Sequence, residues 1–113
     1  MAYNGGYDVV VFETRVFTRQ VKRILSDDEY RFLQLRLALD PSAGRRIPGS
    51  GGLRKLRWPV GGRGTRGGAR VIYYWVRKRE QVLMLLIYSK KERDDLTPEQ
   101  LRILRAVVEE SLR

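Results

Sequence analysis

The 113-residue chain contains no cysteine and no histidine. Without cysteine, disulfides, thiolate nucleophiles and cysteine-held metal sites are excluded, and a reducing compartment suits the chain. Without histidine, the commonest metal ligand and the usual acid–base group near neutral pH are gone. A Ser-His-Asp triad and a histidine-pair ribonuclease are both impossible, so any chemistry runs on Lys, Arg, Tyr or carboxylates. No apolar run approaches the ~18–20 residues needed to cross a bilayer. Residues 1–8 lack the charged and apolar regions of a secretory signal. A third absence is local: between Asp40 and Glu80 there is no acidic residue.

That acid-free stretch carries eleven cations: Arg45, Arg46, Arg54, Lys55, Arg57, Arg63, Arg66, Arg70, Arg77, Lys78 and Arg79. The whole chain has 23 Lys+Arg and 13 Asp+Glu, so 12 basic and 13 acidic residues lie outside the stretch and the net charge of +10 resides within it. An even positive surface would speak only of solubility. A positive block between near-neutral flanks points to a polyanionic partner.

The length fits one domain over residues 1–113, with 1–8 expected as a flexible extension. A hydrophobic content of 42% is enough for a modest core. Val9-Val10-Val11-Phe12 predicts a first strand. Phe17, Val21, Ile24 and Leu25 fall on one helical stripe. Ser26-Asp27-Asp28-Glu29 reads as a capping box opening a second helix. There Tyr30, Leu33 and Leu37 share a face that Phe32, Leu35 and Leu39 widen, and Asp40-Pro41 ends the helix. A Pro/Gly-rich loop spans 41–52. Strands are predicted at 53–58, 70–76 and 82–88, and Thr97-Pro98-Glu99-Gln100 caps a last helix with Leu101, Leu104, Val108 and Leu112 on its buried side. The order β-α-α-β-β-β-α predicts an α+β domain whose antiparallel core sheet carries its flanking helices on one face.

Strand alternation sorts the cations. In Leu53-Arg54-Lys55-Leu56-Arg57-Trp58, Leu56 and Trp58 belong to the buried side and Lys55 and Arg57 to the other. Centring the next hairpin on Arg79 sets Arg70 opposite Tyr88, Ile72 opposite Leu86 and Tyr74 opposite Met84. One sheet end then gathers Lys55, Arg57, Arg70, Tyr88 and Lys90 or Lys91. Close like charges near a surface repel by roughly 1 kcal/mol or more, and a phosphate would supply the counter-charge. The alternative is a solvated rim whose long stems cover apolar sheet. Gly62, Gly64 and Gly67 spell G-x-G-x-x-G, but a strand rather than a helix follows, so no dinucleotide site is expected. That loop, with Arg63 and Arg66, is instead a candidate grip on a phosphate backbone. Of the aromatics at 73–75, Tyr73 and Trp75 are expected under the helices and Tyr74 partly exposed for base stacking. Glu92, Asp94 and Asp95 read as charges favouring a helix N-terminus rather than as metal ligands.

Three blocks carry a resemblance: Gly52-Leu53-Arg54-Lys55-Leu56-Arg57; Arg66-Gly67-Gly68-Ala69-Arg70-Val71-Ile72-Tyr73-Tyr74; and Leu86-Ile87-Tyr88-Ser89-Lys90-Lys91-Glu92. Together they resemble the RelE/ParE toxin superfamily, in its HigB-like branch, from about Val9 onward. The resemblance implies a cytoplasmic type II toxin of a toxin–antitoxin system. Such a toxin is an mRNA interferase, a ribosome-dependent endoribonuclease that inhibits translation. Its implied partners are mRNA, the ribosomal A site with its rRNA, and a cognate antitoxin. No cofactor, metal, small-molecule ligand or membrane is implied. Residue by residue, Lys55, Arg70 and Lys90 or Lys91 match the family's catalytic cations. Tyr88 is a local substitute for a C-terminal tyrosine that this chain lacks. Arg54, Arg57, Arg63, Arg66 and Tyr74 become RNA contacts. The implied chemistry is metal-free attack by the RNA's own 2′-hydroxyl, with Arg70 as phosphate clamp and Lys55 or Lys90 as base. Two alternatives stand beside it: a non-catalytic gyrase inhibitor of the ParE kind, and a basic RNA- or ribosome-binding module.

Overall fold

The computed structural model describes residues 2–3, 9–62, 64, 67–93 and 95–113. Six strands form one sheet: β1 (Ala2–Tyr3), β2 (Val10–Glu13), β3 (Arg45–Arg46), β4 (Arg54–Trp58), β5 (Ala69–Val76) and β6 (Gln81–Ser89). Three helices accompany it: α1 (Arg15–Ile24), α2 (Asp27–Leu39) and α3 (Pro98–Ser111). The sheet order is β1-β2-β6-β5-β4-β3. The domain is α+β, as composition and element order predict. Ala2 and Tyr3, expected in a flexible extension, pair antiparallel with Phe12 and Val11.

The helix starts follow side-chain chemistry. The Thr14 hydroxyl accepts from the Phe17 amide and opens α1. Ser26 and Glu29 form a reciprocal capping box at α2, and Thr97 and Gln100 form another at α3. Each satisfies amides that have no partner within the first helical turn. On α2 the buried arc is narrower than expected. Leu33 and Leu37 are buried, but Phe32 and Leu39 are 64% and 60% exposed. Phe32 lies one residue from Leu33, a rotation of about 100° around the helix, and this carries it off the sheet-facing side.

Two sequence expectations are corrected. The sheet is mixed, because β2 and β6 run parallel, with Val10 opposite Gln81 and Glu13 opposite Met84. A tight hairpin enforces antiparallel pairing. The two helices after β2 instead carry the chain far enough for the β4-β5-β6 meander to return alongside it in the same direction. The helices also cover both faces. Under α1 and α2, Phe17, Val21, Leu25, Leu33 and Leu37 pack with Val71, Tyr73, Val82, Met84 and Ile87. Under α3, Val108 packs with Leu53, Ile72, Leu85 and Tyr88, flanked by Leu101, Leu104 and Leu112. Strands buried on both sides are apolar at nearly every position, which is how 71–76 and 82–88 read.

The central hairpin keeps the predicted register for Arg70–Tyr88 and Ile72–Leu86, then shifts. Tyr73 faces Met84 and Tyr74 faces Leu83. Leu85 is the extra residue of a β-bulge, and Leu85 and Leu86 both turn toward α3. The carbonyl of Leu85 accepts from the Thr14 hydroxyl at 2.9 Å, so the bulge is tied to the start of α1. The hairpin turn is a single 3-10 turn (Arg77–Arg79) closed by Glu80 in the left-handed region at φ 51°.

Loop 41–52 is pinned from beneath. The Tyr73 hydroxyl accepts from the Gly44 amide at 2.8 Å and donates to the Pro41 carbonyl at 2.7 Å. Arg54 donates to the carbonyls of Gly44 and Ser42. Ser50 is buried and bridges the Ile47 carbonyl and the Leu53 amide. These ties set β3 against β4, with Arg45 opposite Lys55 and Arg46 opposite Arg54. The edge of the sheet is thus two exposed arginines, a short charged strand that resists pairing with another chain. Among the described residues, no helix is long and apolar enough to cross a membrane.

Candidate functional site

The register places three chemistry-bearing side chains in one row across the sheet: Arg57 on β4, Arg70 on β5 and Tyr88 on β6. The next row runs Arg45, Lys55, Ile72 and Leu86. Directly paired residues project to the same side, here the α3 side, because Ile72 and Tyr88 both lie in the core beneath that helix. Above these rows opens a cleft of about 770 Å³. Arg45 and Arg46 line it from β3, Lys55 and Arg57 from β4, and Tyr88, Asp95 and Leu101 from β6, the following loop and α3. The result is a cationic wall over a partly apolar floor.

Among the described residues, one carboxylate enters it. Asp95 Oδ1 lies 2.5 Å from Lys55 Nζ, the lysine side chain 23% exposed and the aspartate 75%. The hydrogen bond from Lys55 and its charge hold the Asp95 carboxyl below its usual range, helped by the fields of Arg57 and Arg70. The three cations expected to converge are therefore close enough together for one acidic group to feel them all. Asp95 was legible only as a helix-terminal charge. It is forty positions from Lys55 in sequence, and no local pattern announces their meeting.

Arg70 is where the pairing places it, but its situation is different from a surface clamp. It is 1% exposed and heads the large, fully buried side chains of the domain. One of its guanidinium nitrogens donates to the Ala69 carbonyl at 3.2 Å. Arg70 thus lies beneath the cleft, and Lys55 and Arg57 meet what enters it. Tyr88 is also buried and forms part of the lining, with the Arg93 guanidinium 5.8 Å from its ring centre.

The other candidates divide. Lys90 and Lys91 are exposed in the turn after β6 and lie outside the cleft lining. The Lys90 amide extends the β5–β6 pairing by donating to the Gly68 carbonyl, and the Lys91 amide serves the turn by donating to the Ser89 hydroxyl. Arg54 is committed to the 41–44 loop on the opposite face, its guanidinium 5.9 Å from the Trp75 ring centre. Tyr74 lies under Arg105 of α3 and lines a second groove at the hairpin end. Arg63, Arg66 and Asp94 lie outside the described residues. The G-x-G-x-x-G stretch leads into β5, a strand, as the sequence order requires.

No family model matches the chain.

Proposed function

We propose that this chain is an endoribonuclease of the RelE/ParE toxin kind, a HigB-like toxin that cleaves mRNA on the ribosome without a metal and is held silent by an antitoxin. The observation that supports this reading is the cleft in which Lys55 and Arg57 stand at one sheet end, above Arg70 and beside Tyr88. In such a reaction the RNA 2′-oxygen bonds to the adjacent phosphorus, its proton goes to a base, and the bond to the 5′-oxygen breaks. Negative charge grows on the phosphoryl oxygens and on the leaving oxygen. Fixed cations stabilise that charge without reorganising, the kind of contribution whose removal costs about 10²–10³ in rate. Arg57 faces the phosphoryl group and Arg70 adds its field from below. Lys55, whose ammonium hydrogen-bonds Asp95 at 2.5 Å, acts as a donor to the phosphate or the leaving oxygen. A role as base would first require it to part from Asp95.

The test is cleavage of a translated mRNA by the purified protein on ribosomes, with 5′ ends mapped, for wild type and for Lys55→Gln/Arg57→Gln. Both substitutions fall on side chains reaching the cleft, so the fold is expected to survive. Cleavage should drop at least about 100-fold. A folded double variant that cleaves like wild type overturns the proposal. Growth arrest with intact mRNA and DNA damage would assign the ParE-like alternative, since one fold hosts both activities.

A further inference from the structure

A second groove, of about 380 Å³, lies where the sheet edge meets the β5–β6 hairpin end. Arg46, Arg54, Arg77, Lys78 and Arg79 line it together with Tyr74 and Trp75, and no acidic side chain is among the described lining residues. Two of its arginines sit over one aromatic ring, Arg77 at 4.7 Å and Arg54 at 5.9 Å from the centre of Trp75. The planar Arg77 guanidinium, exposed over the indole, is the one suited to phosphate, while Arg54 gives its donors to the Ser42 and Gly44 carbonyls and adds only its charge. Arg46 lines this groove and the first cleft alike. The two basic surfaces are therefore continuous along the β3–β4 edge.

We propose that this second groove is a backbone-binding site for single-stranded RNA, receiving the chain that runs on from the first cleft. Direction along the track rests on the first cleft being the cleavage site; the binding itself does not. From Arg70 to Arg77 the strand spans seven steps, about 23 Å at ~3.3 Å per residue, beyond the reach of a dinucleotide. The contact is to phosphates rather than bases: its donors are arginines and a lysine, and Trp75 is occupied by its own cations. A long RNA therefore gains affinity without sequence preference, and the gain is lost with salt.

The probe is a fluorescein-labelled 15-nucleotide RNA, 2′-O-methylated throughout so that it cannot be cleaved, with a dinucleotide of the same chemistry as the short arm. Binding is read by anisotropy across a salt series. Each phosphate contact contributes about 0.7 to the slope of log affinity against log salt for single strands. Arg77→Gln/Lys78→Gln/Arg79→Gln should reduce the slope for the 15-mer by up to about 2 and weaken it at least about tenfold at low salt. The dinucleotide should be unaffected, and Arg77→Lys/Arg79→Lys should retain most of the slope. All three residues are exposed, so an unchanged melting temperature certifies the fold. An unchanged 15-mer slope in the triple variant overturns the inference. So does an oligoglutamate that competes as well as RNA, which would assign the groove to an acidic protein. If Lys55→Gln/Arg57→Gln abolishes neither cleavage nor dinucleotide binding while the triple variant weakens the 15-mer, the proposed catalytic cleft fails and the groove stands.

Discussion

Truncating Arg70 should damage the fold before it damages any chemistry. The side chain is 1% exposed and sits in the row between Arg57 and Tyr88, so Arg70→Ala removes packed volume from that side of the sheet. Large-to-small changes at such positions cost about 2–5 kcal/mol. Relief of the cross-strand repulsion with Arg57 returns about 0.2–1 kcal/mol. The expected net loss is about 1–5 kcal/mol, equivalent to a fall in Tm on the order of 5–25 °C for a domain of this size. Arg70→Met separates volume from charge. It keeps a long, flexible stem and forfeits the bond to the Ala69 carbonyl, worth about 1 kcal/mol. Arg70→Met should therefore be more stable than Arg70→Ala, by the packing its retained stem supplies. Urea unfolding followed by the fluorescence of Trp58 and Trp75, both half-buried, reads the difference. Wild-type stability in Arg70→Ala, or equal damage by Ala and Met, would refute the reasoning. Loss of cleavage in Arg70→Ala alone would consequently say little about catalysis.

Three further outcomes are expected. A Cβ on Gly68 would fall 2.1 Å from the Trp58 carbonyl oxygen and 3.1 Å from Pro59 Cα, whereas one on Gly67 would meet nothing within 4 Å. Gly68→Ala should thus cost about 3 kcal/mol or more and Gly67→Ala should be near neutral, a contrast that paired urea melts would measure. Glu80 occupies the left-handed region, which glycine enters freely; Glu80→Gly should stabilise by about 0.5–1 kcal/mol, and a lowered Tm would count against it. The Glu29 carboxylate accepts from the Ser26 and Gly61 amides, and those bonds hold its pKa below the ordinary 4.5. A depressed acid contributes stability above its unfolded value and loses it as pH falls through the folded one. Thermal melts below pH 4.5 should accordingly fall less steeply for Glu29→Gln than for wild type.

The readable parts of the sequence were those set by short-range chemistry. Ser26, Thr97 and their partners three residues on announced two helix starts, and the hairpin placed Arg70 against Tyr88 without any long-range information. The shift beyond Ile72 was invisible because Leu85 and Leu86 offer two equal apolar candidates for either face, with no glycine or proline to mark the bulge. The parallel β2–β6 contact and the placement of α3 on the far face both depend on segments distant in sequence. Near-continuous apolar strands signalled burial on both sides, a cue that outweighs the grouping of helices along the chain. Strand alternation gave the side on which Arg70 lies but not its depth, because depth is decided by segments distant in sequence.

The pairing of Lys55 with Asp95 makes the first cleft an ion exchanger. An anion entering the cleft does not meet a bare ammonium; it must take the place of a carboxylate already bound at 2.5 Å. That carboxylate is tethered by the chain, so it stays near the lysine at any protein concentration and returns when the ligand leaves. Affinity is then a difference between two anions competing for one cation. A ligand that offers several oxygens to Lys55 and Arg57 at once gains over one that offers a single charge.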